Sequence, residues 1–212
     1  SLLISVFLGV TLGTISALRQ YSAMDYGLTL FGFTGISIPD FFLGMILIFV
    51  FALKLGWFPT SGMVTAGEDF SWSDNLRHLF LPALALALVR TSVFMRYSRA
   101  SVLEVINDDY VRTARAKGMT ELVVTSRHIL RNALIPVITV IGINLTVLFA
   151  GAVIIETIFQ WPGIGMMFIN AIALRDSPVI MGYVLVSAFV VLIANLVTDV
   201  TYSYADPRIR YD

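Results

Sequence analysis

A chain of 212 residues that is 58% hydrophobic and only 13% charged departs from soluble domains, in which about 25% of residues carry charge; it reads as an integral membrane protein. Its formal net charge is zero, so charge points to no acidic or nucleic-acid partner. It has no cysteine, and its two histidines, His78 and His128, lie far apart in sequence, which excludes disulfides and thiolate sites and argues against a catalytic metal centre.

The apolar run begins at Leu2 with no basic region ahead of it, unlike a secretory signal peptide, and the start at Ser1 reads as a cut in a longer natural chain. Five segments have the length and continuity of spans: Leu2 to Leu18, Gly27 to Leu53 with Pro39 and Asp40 inside it, Leu79 to about Met95 with Pro82 and Arg90, Ala133 to Ile155, and Pro178 to Thr198. A bilayer core needs roughly 17 to 25 helical residues and satisfies no open backbone groups. The fold class is therefore all-α, a polytopic transmembrane helical bundle of about five spans. Nothing alternates as the strands of a membrane barrel do.

Basic residues set the expected orientation. One side holds Arg19, Arg96, Arg99, Arg112, Arg115, Lys117, Arg127, Arg131, Arg208 and Arg210; the other holds Lys54, Arg77 and Arg175. The basic stretch before the fourth segment and the C-terminus are expected to be cytoplasmic, and Ser1 outside. Two outer connections have character of their own. Gly56 to Arg77 carries Trp57, Phe58, Phe70 and Trp72, aromatics suited to headgroup depth. In "ETIFQWPGIGMMFINAIALRDSP", Trp161, Pro162, Gly163 and Gly165 mark a break, after which Met166 to Leu174 is expected to form a short helix dipping back into the bilayer or capping a cavity.

Polar residues inside spans are candidates for a translocation path: Asp40, Asn144 and Glu156 foremost, with Arg90, Asn195 and Asp199. Each has a plain alternative. Arg90 would snorkel from the end of a longer third helix, Glu156 would sit at the outer membrane edge, Asp199 would lie beside Arg208, and the asparagines would bond between helices.

The most distinctive stretch is "DDYVRTARAKGMTELVVTSRHILRNALIP", Asp108 to Pro136. Acids precede a first turn, as suits a helix N-terminus. Tyr110, Val111 and Ala114 fall at helical spacing opposite Arg112, Arg115 and Lys117, and Gly118 closes the helix. Thr120 is placed to cap a second helix running to Arg131, with Leu122, Val123, Ile129 and Leu130 apolar. Physics alone leaves two uses open: lying on anionic lipid or docking a protein.

"TARAKG" followed by "RHILRNALIP" resembles the cytoplasmic loop of importer-type ABC transporter permeases, and "DYVRTARAKG…RHILRNALIPVIT" is most similar to their dipeptide, oligopeptide and nickel branch. "ETIFQWPGIG", the terminal "DPRIRY", "ISIPDFFLG" and "LRHLFLPALALAL" look like the B-type half of a heterodimeric pore, so the resemblance covers essentially the whole chain. The general motif's acidic position is Arg112 here and its first small position Thr113, leaving Ala114 as the matching alanine. The resemblance implies one permease domain over residues 1–212, lacking a first helix and an extracellular insertion, with an ATPase-coupling loop within 104–132. That loop would be carried by Asp109, Tyr110, Arg112, Thr113, Ala114, Arg115, Ala116, Lys117, Gly118, Arg127 and Arg131.

The same resemblance implies a place in the inner membrane of a bacterial or archaeal cell. It implies a homologous second permease subunit, two cytoplasmic ATP-binding subunits, an external substrate-binding protein and the lipid bilayer as partners. ATP and Mg would be bound by the ATPase subunits, with no cofactor or metal on this chain, which contains no G-x-x-x-x-G-K-[ST] motif. The expected cargo is di- or oligopeptide, with a nickel chelate or glutathione as alternatives from the same branch. From another class, an ion-driven secondary transporter would carry broken helices such as that at Pro39. A membrane enzyme would need a catalytic cluster this sequence lacks.

Overall fold

The structure, a computed structural model, describes residues 1–67 and 69–205, and side chains except those at 146–151 and 202–205. The described residues are helical, with no strand. The elements are α1 (Leu2–Leu18), α2 (Ala23–Ser37), α3 (Asp40–Leu47) with a π-helical continuation Ile48–Lys54, α4 (Trp72–Val105), α5 (Asp109–Ala116), α6 (Glu121–Val123) with a π-helical stretch Val124–Ile129, α7 (Leu130–Ile158), α8 (Ile164–Leu174) and α9 (Ser177–Ala205).

Among the described residues, three helices, Trp72–Val105, Glu121–Leu145 and Ser177–Thr201, are long and apolar enough to cross a membrane. The second expected span is a broken pair instead of one rod: Pro39 disfavours helical backbone at Ile38 before it, and Pro39 itself stands in extended backbone at the N-cap of α3. Leu2–Leu18 is apolar but short. The third segment continues past the expected Met95 to Val105, and Trp72 and Arg77, read as connection, lie in its first turns. Pro82 and Pro136 are held inside α4 and α7.

The chain divides into two compact units, Ser1–Leu2, Ser37–Val89 and Leu145–Ile193 in one, Leu3–Ile36, Arg90–Asn144 and Ala194 onwards in the other. In the first, Leu47, Leu81, Ala85, Ile155 and Phe159 form the buried core, and Gly44 lets α3 approach Phe159 and Ile155. The connection after the π-helical turn is tied to α4: the Thr65 backbone N–H and hydroxyl donate to the Asp74 carboxylate at 2.6 and 2.8 Å, Asn75 Nδ2 donates to the Met63 carbonyl, and Phe58 stacks on Phe80 at 4.5 Å.

In the second unit, α1 meets α4 backbone to backbone. A Cβ on Gly9 would lie 2.5 Å from that of Phe94, and one on Gly13 would collide with the Met95 carbonyl. Two small residues four apart are the general device by which apolar helices approach closely where no hydrophobic effect drives them together. Gly142 does the same for α7 against Thr198 of α9. A separate buried core, Ala17, Val102, Val111, Ala114, Val124, Ile129 and Ala133, joins α1, α4, α5 and the segment leading into α7. The terminal "DPRIRY" motif, Arg208, Arg210 and Asp212 lie outside the described residues.

Candidate coupling segment and polar interior

α5 has eight residues, too short to be stable without packing. Val111 and Ala114, three apart on one face, are 0% and 3% exposed and lock it into the core just described. Ala114, expected to belong to the coupling loop, therefore faces the chain's own interior. The outward face is Arg112, Thr113, Ala116 and Lys117, all exposed. Tyr110 Oη accepts a hydrogen bond from Asn132 Nδ2 at 2.8 Å, and burial pushes its hydroxyl pKa up. Asp109 is exposed in the first turn, where its charge favours the helix.

The turn after α5 follows from one backbone angle. Gly118 has φ +76°, a conformation in which a side chain costs roughly 1 kcal/mol or more, and its N–H bonds the Arg115 carbonyl at 2.9 Å. Arg115 then grips Glu121 across the turn, Nε to Oε1 at 2.9 Å; the pair is exposed and therefore weak. Thr120 occupies the capping position in extended backbone, but its side chain makes no capping bond, contrary to expectation.

The second helix does not stop at Arg131. It passes through the π-helical stretch Val124–Ile129 directly into α7, with Arg127 and Arg131 exposed. Val124 and Ile129, five apart, are both fully buried in one core. In an α-helix that spacing places them about 140° apart, whereas i→i+5 bonding brings such residues onto one face. The spacing of the two apolar anchors accounts for the π geometry.

The three residues proposed for a path have different environments. Asn144 Oδ1 accepts a hydrogen bond from Arg90 Nη1 at 2.9 Å, and Asn144 Nδ2 donates to the Val140 carbonyl at 2.8 Å. Arg90 is 6% exposed, so it does not snorkel outward. Its neighbour on α7 takes it up, because α4 runs far past it on both sides and leaves no nearby end. Glu156 joins α7 to the break that follows. Its Oε2 accepts from the Met166 backbone N–H at 2.9 Å, supplying a first-turn acceptor to α8, whose N-cap is Gly163. A Cβ on Gly163 would strike the Glu156 carboxyl group, and one on Gly165 would crowd Val153 and that same carboxylate. Pro162 and Trp161 form the corner, with the Trp161 N–H bonding the Glu156 carbonyl at 2.8 Å. The short helix expected over Met166 to Leu174 is present and begins two residues earlier. Asp40 is half-buried in the first turn of α3. No cluster of three or more potential metal ligands occurs among the described residues.

Sequence reasoning missed one constellation. Asp25, 2% exposed, receives Arg99 in a fork: Nε to Oδ1 and Nη2 to Oδ2, both 2.9 Å. Ser16 Oγ also donates to Oδ1, the Tyr21 backbone N–H donates to Oδ2 at 3.0 Å, and Thr29 Oγ1 completes the shell at 3.4 Å. The distribution of basic residues along the sequence counts Arg99 among the cytoplasmic charges. An acid at the start of an apolar segment was the available signal, but its partner is 74 residues away.

The model of the binding-protein-dependent transport system inner membrane component matches residues 9–211. The chain is 44% identical, over 100% of its length, to the oligopeptide transport system permease protein AppB of Bacillus subtilis. It is 43% identical over 96% of its length to the di/tripeptide transport system permease protein DppB of Pseudomonas aeruginosa. It is 37% identical over 100% to the dipeptide transport system permease protein DppB of Escherichia coli K12. It spans about two thirds of these relatives, 67%, 66% and 68% respectively. Among solved structures, a chain of the MetNI methionine ABC transporter, captured in inward-facing conformations, matches with TM-score 0.71 at 15% identity, covering 97% of this chain and 91% of that one. At that identity the likeness concerns the fold.

Proposed function

Because the chain belongs to the binding-protein-dependent transport system inner membrane component family, we propose that it is the pore-forming permease subunit of an ATP-driven importer of di- and oligopeptides. The relatives named for oligopeptide, di/tripeptide and dipeptide transport support the cargo. Family membership weighs against ion-driven secondary transport.

The observation that carries the reading is α5. It is anchored on one side by Val111 and Ala114 and carries Arg112, Thr113, Ala116 and Lys117 outward, the arrangement of a short helix held ready for a partner's groove. In this reading a cytoplasmic ATPase subunit grips that outward face, and ATP and Mg are bound by the ATPase subunits, not by this chain. Closure of two such subunits moves α5, and its inner face carries the motion to α1, α4 and α7 through Ala17, Val102 and Ala133. A homologous second permease completes the pore, an external binding protein delivers the peptide, and the chain lies in the inner membrane with α5 and the C-terminus on the cytoplasmic side.

The test is uptake of labelled di- and oligopeptides into cells or vesicles holding the full importer. Uptake should require this chain, ATP and the cognate binding protein. Loss of nickel uptake with all peptide uptake retained in a deletion strain would reverse the cargo, and gradient-driven uptake by this chain alone would remove the motor.

A further inference from the structure

We propose that Asp25 and Arg99 are positioning residues for coupling: their fork fixes α1, the α1–α2 turn and α4 as one body against which the coupling segment works. The proposal rests on the permease reading above and goes beyond it by assigning the residues that transmit the motion.

The first observation is where the fork sits. Ser16, which hydrogen-bonds both Asp25 and Arg99 Nε, is followed by Ala17, and Arg99 lies one helical turn before Val102. Ala17 and Val102 are the residues of α1 and α4 in the buried core that holds Val111 and Ala114 of α5. Any displacement of α5 therefore presses on the two helices that the fork ties together, at positions one residue and one turn away from it.

The second observation is the completeness of the carboxylate's shell. Asp25 draws on α1 through Ser16, on the turn through the Tyr21 N–H, on α4 through Arg99 and on its own helix through Thr29. Tyr21 has φ +63°, a left-handed conformation that costs a non-glycine residue energy; its bond to Asp25 holds it there. A planar guanidinium meeting a carboxylate with two parallel bonds fixes relative orientation as well as distance. Rigid connection of this kind is what a transmitting element requires.

The third observation is energetic. Buried ion pairs contribute little net stability compared with apolar residues of similar volume, while removal of one partner is strongly destabilising. Stability alone is therefore a poor reason for a buried Asp25 paired with a half-buried Arg99 between apolar helices, and specification of one geometry is the better one. Gly9 and Gly13 already bring α1 onto α4; the fork adds a directional contact to that close approach.

The experiment uses the full importer with its binding protein and ATPase subunits in vesicles, with Asp25→Asn, Arg99→Lys and Ser16→Ala in this chain. Arg99→Lys retains the charge and loses the fork. The expected result, read per assembled complex so that any loss of recovery is set aside, is basal ATP hydrolysis at the wild-type level with peptide imported per ATP reduced about fivefold or more in Asp25→Asn and Arg99→Lys, and a smaller loss in Ser16→Ala. Unchanged import per ATP in Asp25→Asn and Arg99→Lys would overturn the proposal. So would a loss of assembled complex in all three variants with the remaining complex fully coupled, since that is a folding role only. A wild-type complex that imports no peptide would sink the permease reading instead, which separates the two failures.

Discussion

The Glu156 carboxylate caps α8 by accepting the Met166 backbone N–H at 2.9 Å, and it occupies the space in which a side chain at Gly163 would stand. A residue that looked like a candidate for lining a path is thus occupied in building the turn from α7 to α8. Glu156→Ala should cost about 1 kcal/mol through the lost cap and make α8 more susceptible to protease from the side it faces. Glu156→Gln keeps an acceptor and should be milder. Gly163→Val should be worse than either, because the added atoms meet the carboxyl group directly. Thermal unfolding of the detergent-solubilised chain reads all three, and an order in which Gly163→Val is the mildest would refute this account of the turn.

A second expectation concerns α5. Ala114→Trp forces a large ring into the chain's own core, so folded protein should fall; overpacking of this sort costs typically 1–3 kcal/mol or more. Ala116→Trp, on the exposed face, should leave the chain in the membrane at normal levels while blocking attachment of the ATPase subunit. Co-purification of that subunit measures the difference. If Ala116→Trp binds the ATPase normally, the outward face is not the docking face.

Gly118 gives a cleaner backbone test. Open space surrounds it, so the effect of a substitution comes from φ alone. Gly118→Ala should destabilise by roughly 1 kcal/mol, and Gly118→Asn by less, since asparagine tolerates the left-handed region. Equal losses for Ala and Asn, measured by thermal unfolding, would point to a clash instead of a dihedral.

The glycines between α1 and α4 predict a packing defect. Gly13→Leu places its Cβ against the Met95 carbonyl and the Ser98 side chain, and neither α-helical backbone yields cheaply. Monodisperse protein recovered by size exclusion should drop severely, whereas Gly27→Leu, with nothing nearby, should not change recovery. Comparable recovery of the two variants would contradict the close approach.

Orientation is testable because the chain has no native cysteine. Cysteines placed at Ser61 or Asp69, both exposed, should react with a membrane-impermeant thiol reagent added outside intact cells, and one at Thr120 should not. Labelling at Thr120 reverses the topology.

Much of this protein is local in origin and so was legible from its residues. Apolar runs of span length must be helical where backbone groups lack water, which identified the segments around α4, α7 and α9. Pro39 announced the break in the second segment, Trp161 to Gly165 announced the turn before α8, and Gly118 announced the end of α5, because proline and glycine restrict or release φ whatever surrounds them. What the tertiary structure decided is which side chains meet. Ala114 could equally have faced a partner, and only the convergence of Ala17, Val102, Val124 and Ile129 on it shows that it faces inward. The π-helical stretch arises because those same anchors demand a spacing of five. Arg99 looks like a surface charge in a linear reading, since a charge's partner is set by distance in space, and Asp25, 2.9 Å from it, lies 74 residues away in sequence, with most of the intervening residues in the other unit.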